Sequence, residues 1–492
     1  MRLLPIPITL RKERHVNYER APYMRNLDIR LLVSGHTKHF LRDLHCSLPH
    51  NMVLGVFVVF SVSFVGMVLM APNGLINGDA ALYAQQIEEL NLQSRTTHIG
   101  YYLLGIVFTR ILPLPVDYAL NIMNCLLAAL CVCLVSSISY TITGKLIPAI
   151  VSSIALLTYS VFAFNGTYAE VYVPQLFFFL LSVQMLLWNR PIFTGLFLSC
   201  ACLITPSTLL ALPFIVLIRP RKRAVFLWAV TFTAVTTAVL MPVLHDFLFG
   251  PRGLLKTMGT SLGLVGAAMK EMRELSFFCL FLVFILVGGL NLFFSKKLRW
   301  LGVTLIVLWL THFIFGEKFG DVPVQLPLYA MLCVVCGLGC RTLLGFSQGG
   351  RLLRASTIFL FVLAVLVSGS VTYLRLSKVT EGIREYRDTV FLMHKTAEPN
   401  YLLVSDWSRG ILFEHYIFRN SYTGRWINTD WLTGQWGEER KRLSWAQLQD
   451  WLAAKRQIWL LDTPMPEVAS SLQKKRYTIR PFRNIYVASY AP

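Results

Sequence analysis

Two carboxylates stand where an acid could do chemistry at the edge of an apolar run. Asp79 lies in Asn77-Gly-Asp-Ala-Ala-Leu-Tyr83, and Glu170 in Asn165-Gly-Thr-Tyr-Ala-Glu-Val-Tyr172. A carboxylate in such a place can take a proton from an attacking hydroxyl. An acid directly after Gly78 is equally well suited to cap a helix, and Glu170 can equally be a carboxylate facing water. Cations that could meet a phosphate come later. His245 and Asp246 close one apolar run, with Arg252, Lys256, Lys270 and Arg273 after them, and Lys318 and Asp321 lie in Gly316-Glu-Lys-Phe-Gly-Asp-Val-Pro. Lysine serves phosphate as a point charge, although a local His-Asp hydrogen bond and a lysine reaching for solvent account for the same residues. Tyr101, Tyr102, Tyr168 and Tyr172 either anchor helix ends or stack on a sugar. Trp407, Trp426, Trp431 and Trp436 either pack or help bind an acceptor.

The elements that must position these groups are set by composition. Of 492 residues, 55% are hydrophobic and only 15% charged, with a mean hydropathy of +0.56. Soluble domains carry about 25% charged residues, so the chain is expected to be an all-α polytopic membrane protein. The net charge of +20 would otherwise raise the question of nucleic acid, but it is divided. Residues 1–50 hold nine basic and four acidic residues, 51–376 hold twenty and ten, and 377–492 hold seventeen and twelve. Charge spread between apolar runs orients a membrane chain, whereas a nucleic-acid binder gathers it on one soluble face. None of the ten cysteines falls in 377–492, so no disulfide framework is expected. Cys333, Cys336 and Cys340 read as packing residues, and neither metal nor cofactor is expected. About fifty mostly polar residues precede the first apolar run, which argues against a cleavable signal peptide.

Eleven apolar segments are predicted, at 52–71, 118–140, 146–163, 172–188, 191–204, 207–218, 224–246, 275–294, 300–315, 327–345 and 355–376. With the N-terminus in the cytoplasm, the cytoplasmic connections collect twelve basic residues, from Lys145 and Arg190 to Arg351 and Arg354. The ten acids of 51–376 then all fall on the opposite side, Asp79 and Glu170 among them. The short segments 191–204 and 207–218 are expected to form a hairpin broken at Thr205-Pro206-Ser207. Such a break needs protein or a wet cavity to satisfy its backbone. The expected organisation is a basic cytoplasmic segment (1–51), a transmembrane domain (52–376) and a small extracytoplasmic α/β domain (377–492). That last domain alternates β-like runs at 401–406, 457–462, 477–480 and 485–489 with helix-like ones at 408–418, 444–455 and 467–476. There is no internal repeat, which disfavours inverted-repeat transporters.

The first outer loop, 72–117, is the most informative stretch. Two helices are predicted to lie on the membrane surface, one opened by Asp79 and one at about 98–112 that is too short to span. Here the sequence resembles the GT-C class of membrane glycosyltransferases, the superfamily of protein O-mannosyltransferases and of the bacterial aminoarabinose transferase. Asp79 and Tyr83 match the Asp-x-x-x-Tyr start of that class's first surface helix. His98, Gly100 and Tyr101 match a His-Pro-x-Gly-Tyr-like start to the second, with Ile99 in place of the proline. Ala169, Glu170, Val171 and Tyr172 match an Ala-Glu-Val-Tyr run in the second outer loop.

The resemblance implies transfer of a monosaccharide from a polyprenyl-phosphate donor to a lipid, glycan or protein acceptor on the extracytoplasmic face. Asp79 would be the general base, with inversion at the sugar, and Glu170 a second site carboxylate. Tyr83, His98, Tyr101, Tyr172, His245, Lys318 and Asp321 would contact substrate. The expected partners are the donor, membrane lipids and an acceptor, with no nucleic acid. The expected place is a bacterial inner membrane, with the N-terminus cytoplasmic and the C-terminus periplasmic. The alternative from composition alone is a multi-span transporter or lipid flippase, which would want ionisable residues within its spans.

Overall fold

The computed structural model describes residues 50–212 apart from 73, 76 and 91–97, then 215 and 229–235. It further describes 281–491 apart from 296–298, 317–324, 347–349, 399, 419–425, 435–437, 462–464 and 484. Twelve labelled helices precede a small sheet: α1 (His50–Met70), α2 (Gly78–Glu88), α3 (Ile99–Ile111), α4 (Val116–Thr143), α5 (Leu146–Leu157), α6 (Ser160–Thr167), α7 (Tyr172–Leu187), α8 (Pro191–Ile204), α9 (Leu282–Phe294), α10 (Arg299–Gly316), α11 (Leu326–Phe346) and α12 (Arg351–Thr396). Residues 54–492 form one compact unit.

Among the described residues, α4, residues 326–345 of α11, and α12 are each long and apolar enough to cross a membrane. Their lengths follow from local signals. Asp117 sits in the first turn of α4, and Gly144 ends that helix at φ +66, its N–H returning to Tyr140 O at 2.7 Å. Glycine reaches this left-handed cap without a steric penalty. The expected span 146–163 is a bent pair, α5 and α6 meeting at 68°. The break at Thr158–Tyr159 is bridged by α12, where Thr372 donates to Thr158 O at 2.8 Å and Arg375 to Ser160 Oγ at 3.2 Å. The second surface helix of the first loop is α3, whose 13 residues extend about 20 Å, short of the ~30 Å hydrocarbon thickness. The α9–α11 crossing is closed by glycine. A Cβ on Gly288 would strike the carbonyl of Val335, and one on Gly339 that of Phe284, the close approach that small residues permit between membrane helices.

The last apolar run does not end near 376. It continues as one 46-residue helix to Thr396, with its charged second half prolonging the apolar first half. A sheet domain follows: β1 (Leu402–Ser405), α13 (Trp407–Phe418), β2 (Trp426–Asn428), α14 (Thr429–Thr433), α15 (Glu438–Ala453), β3 (Ile458–Leu460), α16 (Pro466–Lys474), β4 (Tyr477–Phe482) and β5 (Ile485–Tyr490). The strand order is β2-β1-β3-β5-β4, with β1 parallel to β2 and β3, and β5 antiparallel to β3 and β4. Four strands lie at the expected runs; β2 is additional, and α15 begins six residues before the predicted 444.

Side-chain alternation divides the sheet between two cores. Leu402, Val404, Ile427, Ile458 and Leu460 pack under Leu448, Leu452, Val468 and Leu472. Leu403, Trp426 and Trp459 on the other face join Ile411 and Phe413 in the main core that runs into the helical bundle. The sheet domain is thereby seated on one end of the bundle through α13.

Candidate active site

The site is built on α2. Its N-cap is Asn77, in extended backbone (φ −148, ψ 170), whose Oδ1 accepts from Ala80 N at 2.7 Å. The expectation that Asp79 is the cap is corrected by this geometry. A capping residue needs the extended conformation that Asn77 has, whereas Asp79 already lies inside the first turn. Its carboxylate sits at the positive end of the helix dipole, exposed, while its neighbours Gly78, Ala80 and Ala81 are buried.

Asn77 does a second thing. Its Nδ2 donates to Oε1 of Glu170, so the cap of α2 is joined to the turn between α6 and α7. Glu170 is only 8% exposed. That turn is in its turn fixed by α4: Asn124 Nδ2 donates to Glu170 O at 2.7 Å, to Asn165 O at 3.3 Å and to Tyr168 O. One helical turn away, Asn121 Nδ2 donates to Pro72 O and Gly74 O, both at 3.0 Å. Two asparagines at i and i+3 on one helix face thus pin the roots of both carboxylate-bearing loops.

Tyr83, one turn after Asp79, is the centre of an aromatic cluster. Its ring centroid lies 5.1 Å from Tyr101, 5.8 Å from Tyr102 and 5.8 Å from His98. The second surface helix approaches its neighbours closely at two glycines. A Cβ on Gly100 would lie 2.9 Å from Ile204 Cγ1 and 3.0 Å from the backbone of Leu203 and Ile204, and one on Gly105 would strike Ile87. His98 Nδ1 donates to Ile204 O at 2.6 Å, which leaves Nε2 as the acceptor in the neutral ring. Loss of solvent lowers the His98 pKa below its ordinary 6.5, opposed by the bond to Ile204.

The electrostatics join the two carboxylates to the tyrosines. Burial pushes the Tyr83 hydroxyl well above 10, and the charges of Glu170 and Asp79 push it further, with smaller contributions from Tyr102 and Tyr172. Tyr101 is raised by burial, then by Glu170 and Tyr102, and Tyr102 by burial and then by Asp79. These hydroxyls are therefore proton-bearing donors at neutral pH. The Tyr101 hydroxyl is fully buried with no hydrogen-bond partner among the described residues, as are Thr205 Oγ1 and Ser207 Oγ. The latter two lie at the predicted helix break, which the structure contains: α8 ends at Ile204, Thr205 is extended (φ −148), and Pro206–Ala211 form a short 3-10 helix.

The sheet domain closes over the same loop. Ser408 Oγ accepts from Gly78 N at 2.9 Å. The Tyr416 hydroxyl accepts from Leu75 N at 3.0 Å and donates to Leu75 O at 2.8 Å. His415 Nε2 lies 3.0 Å from Asp117 Oδ1, the two being 1% and 13% exposed.

The structure thus brings together Asp79, Tyr83, His98, Tyr101, Glu170 and the half-buried Tyr172. His245, Lys318 and Asp321, with Arg252, Lys256, Lys270 and Arg273, lie outside the described residues, as does Trp436. Of the tryptophans considered for acceptor binding, Trp426 is a core residue, stacked on Trp431 at 5.2 Å and backed by Gly410. Asn77, Asn121, Asn124, Ser408, His415 and Tyr416 were not legible as site residues. The signal available for two of them was a pair of carboxamides inside an otherwise apolar run, polar groups that are expensive there unless used.

No family model matches the sequence, and no curated protein matches it. Solved structures do match in fold. The crystal structure of ArnT from Cupriavidus metallidurans bound to undecaprenyl phosphate superposes with a TM-score of 0.57 at 11% identity, over 90% of this chain and 100% of that one. Its apo state gives 0.56 at 12% identity, over 90% and 98%. The archaeal oligosaccharyltransferase AglB from Archaeoglobus fulgidus, in complex with an inhibitory peptide and a dolichol-phosphate, gives 0.54 at 10% identity, over 89% and 74%. The fold is that of the GT-C membrane glycosyltransferases, as the motifs of the first loop imply.

Proposed function

We propose that the chain is an integral membrane glycosyltransferase that moves a monosaccharide from a polyprenyl-phosphate donor to a lipid, glycan or protein acceptor on the extracytoplasmic face. The observation that carries this is the pairing of an exposed Asp79 with a buried Glu170 through Asn77. The arrangement presents one carboxylate at the exposed start of α2 and holds the other in the buried turn before α7. ArnT is bound to undecaprenyl phosphate and AglB to a dolichol-phosphate, and the shared fold makes a lipid phosphate the natural donor class here.

In this mechanism Asp79 takes the proton of the acceptor hydroxyl. The oxygen attacks the anomeric carbon from the face opposite the phosphate, the glycosidic C–O bond to phosphate breaks, and polyprenyl phosphate leaves with the bonding pair. Configuration inverts. Asp79 stands in the first turn of α2, at the positive end of its dipole, and Glu170 orients sugar or acceptor hydroxyls. The neutral hydroxyls of Tyr83 and Tyr101 and the Nε2 acceptor of His98 supply donors and an acceptor of the kind a sugar requires. Lys318, with a cation of the loop after His245 and Asp246, would carry the charge that develops on the leaving phosphate, and Asp321 would contact substrate. Bacterial inner membrane, with the sheet domain periplasmic, is the compartment proposed from the charge asymmetry.

The test is transfer of radiolabelled sugar from a polyprenyl-phosphate donor pool by purified protein. Asp79→Asn should abolish it while the protein remains folded, and full activity in that variant would rule Asp79 out as the base.

A further inference from the structure

A second feature of the structure lies away from the Tyr83 cluster. Between the last turn of α1 and the stretch of α12 from Tyr373 to Arg387 are two adjoining cavities of about 410 and 360 Å³. They share Leu69, Met70, Thr380 and Arg384, so they form one continuous cleft. None of its lining residues contributes to the aromatic cluster around Tyr83.

The chemistry of the cleft is graded along α12. On one side of it the helix exposes apolar residues, among them Leu366, Val371 and Leu374. Tyr373 and Leu69, at 62% and 80% exposed, form an apolar mouth. Ser377 and Thr380 follow, then Arg384 and Arg387. From Leu374 to Arg384 the axial rise is about 15 Å. Hydrocarbon, then hydroxyl, then guanidinium is the order that meets the chains, the ester region and the phosphate of a lipid entering from the side. Between residues 375 and 387, α12 carries Arg375, Lys378, Arg384 and Arg387 against Glu381 and Glu385. Glu381 lines the cleft, yet Arg384 makes no ion pair with a described residue. Arg387 Nε lies 4.0 Å from Asp388 Oδ1, the two side chains being 31% and 58% exposed.

We propose that this cleft binds the headgroup of an anionic membrane phospholipid. Arg384 and Arg387 pair with the phosphate, Ser377 and Thr380 meet the ester region, and the chains lie along Leu69 and Tyr373. Arginine suits the role because its planar fork matches phosphate oxygens bidentately. The occupant has a direct route to the active-site loop. The cleft is also lined by Pro72 and Ile383; the Pro72 carbonyl is held by Asn121, and Ile383 abuts Gly74. A lipid seated here braces the root of the loop that carries Asp79.

Native mass spectrometry of the full chain, delipidated in detergent and titrated with phosphatidylglycerol or phosphatidylcholine, tests this. Wild type should retain phosphatidylglycerol in preference to phosphatidylcholine, and Arg384→Ala with Arg387→Ala should weaken that binding by about tenfold or more. Arg351→Ala with Arg354→Ala, at the other end of the same helix, should leave it unchanged. Thr380→Trp, which fills the cleft and keeps both charges, should also weaken it, and so guards against a folding defect in the double variant. Equal retention of the two lipids, an unaffected 384/387 variant, or equal loss in the 351/354 variant would overturn the proposal. Displacement of the lipid by inorganic phosphate would show a free-anion site and overturn it too. The readout needs no sugar transfer, so its failure leaves the transferase proposal untouched.

Discussion

Asn77 and Glu170 are 93 positions apart in sequence and joined by a hydrogen bond from Asn77 Nδ2 to Glu170 Oε1. Because the same carboxamide caps α2 through Ala80 N, the start of the helix bearing Asp79 cannot shift without disturbing Glu170. The two carboxylates are coupled through one side chain, and that coupling makes their arrangement testable.

Asn77→Ala removes both bonds. Loss of the cap costs about 1 kcal/mol, and Glu170 loses the carboxamide that ties it to α2. Asn77→Asp keeps the cap but places a second carboxylate against Glu170. Both variants should lose transfer activity, but in thermal unfolding the alanine variant should show the loss of the cap; an active Asn77→Asp enzyme would show that the bridge is dispensable.

Asp79→Asn should leave thermal unfolding close to wild type, because the side chain is exposed and is not the cap. Its effect should fall on turnover, by roughly 10²–10⁴-fold for loss of a general base. A change in donor affinity with turnover intact would point to a binding role instead.

Asn124→Leu strips partners from the carbonyls of Asn165, Tyr168 and Glu170. Each buried group left unsatisfied costs about 1–3 kcal/mol, so this variant should be less stable than Asn77→Ala. Thermal unfolding of the two side by side orders them.

The pH response of the cluster has a definite sign. His98 has a folded pKa below 6.5, so the unfolded chain takes up its proton first as pH falls. Stability is therefore full above the unfolded value and is lost as pH drops below about 6.5. For Tyr83 and Tyr101, raised above 10, the unfolded chain loses its proton first, and stability is lost as pH rises above about 10. Tyr101→Phe, which deletes a hydroxyl without a described partner, should flatten the alkaline limb without lowering stability at pH 7. Unfolding temperatures of wild type, His98→Gln and Tyr101→Phe across pH check both limbs.

Gly100→Val places side-chain atoms against the backbone of Leu203 and Ile204. It should displace α3 and break the His98–Ile204 bond, lowering both stability and activity. Gly289→Ala, in the same kind of apolar helix but with open space at the Cβ position, is the matched control and should be neutral.

What the sequence determined by itself are the properties that add up over neighbouring residues. Hydropathy summed along contiguous runs set the helices α4, α7, α8 and α11 nearly in place, since an apolar run is a property of adjacent residues alone. The β-like runs of 377–492 matched four of the five strands among the described residues. The breaks at Thr205-Pro206-Ser207 and the short helix of 98–112 were visible because proline and segment length act locally. The bend at Thr158–Tyr159 was not, because no proline marks it and its support comes from α12, over 200 residues away.

Asp79, Tyr83, His98, Tyr101 and Glu170 could be named from short motifs, but not the reason they converge. Convergence is decided by Asn77 reaching Glu170, by Asn121 and Asn124 pinning two loops from one helix face, and by Ser408 and Tyr416 clasping the first loop from more than 300 residues away. A carboxamide or hydroxyl carries no record of which distant backbone group it will satisfy. That choice is made only when packing buries the donor and the acceptor together and makes an unmet hydrogen bond costly.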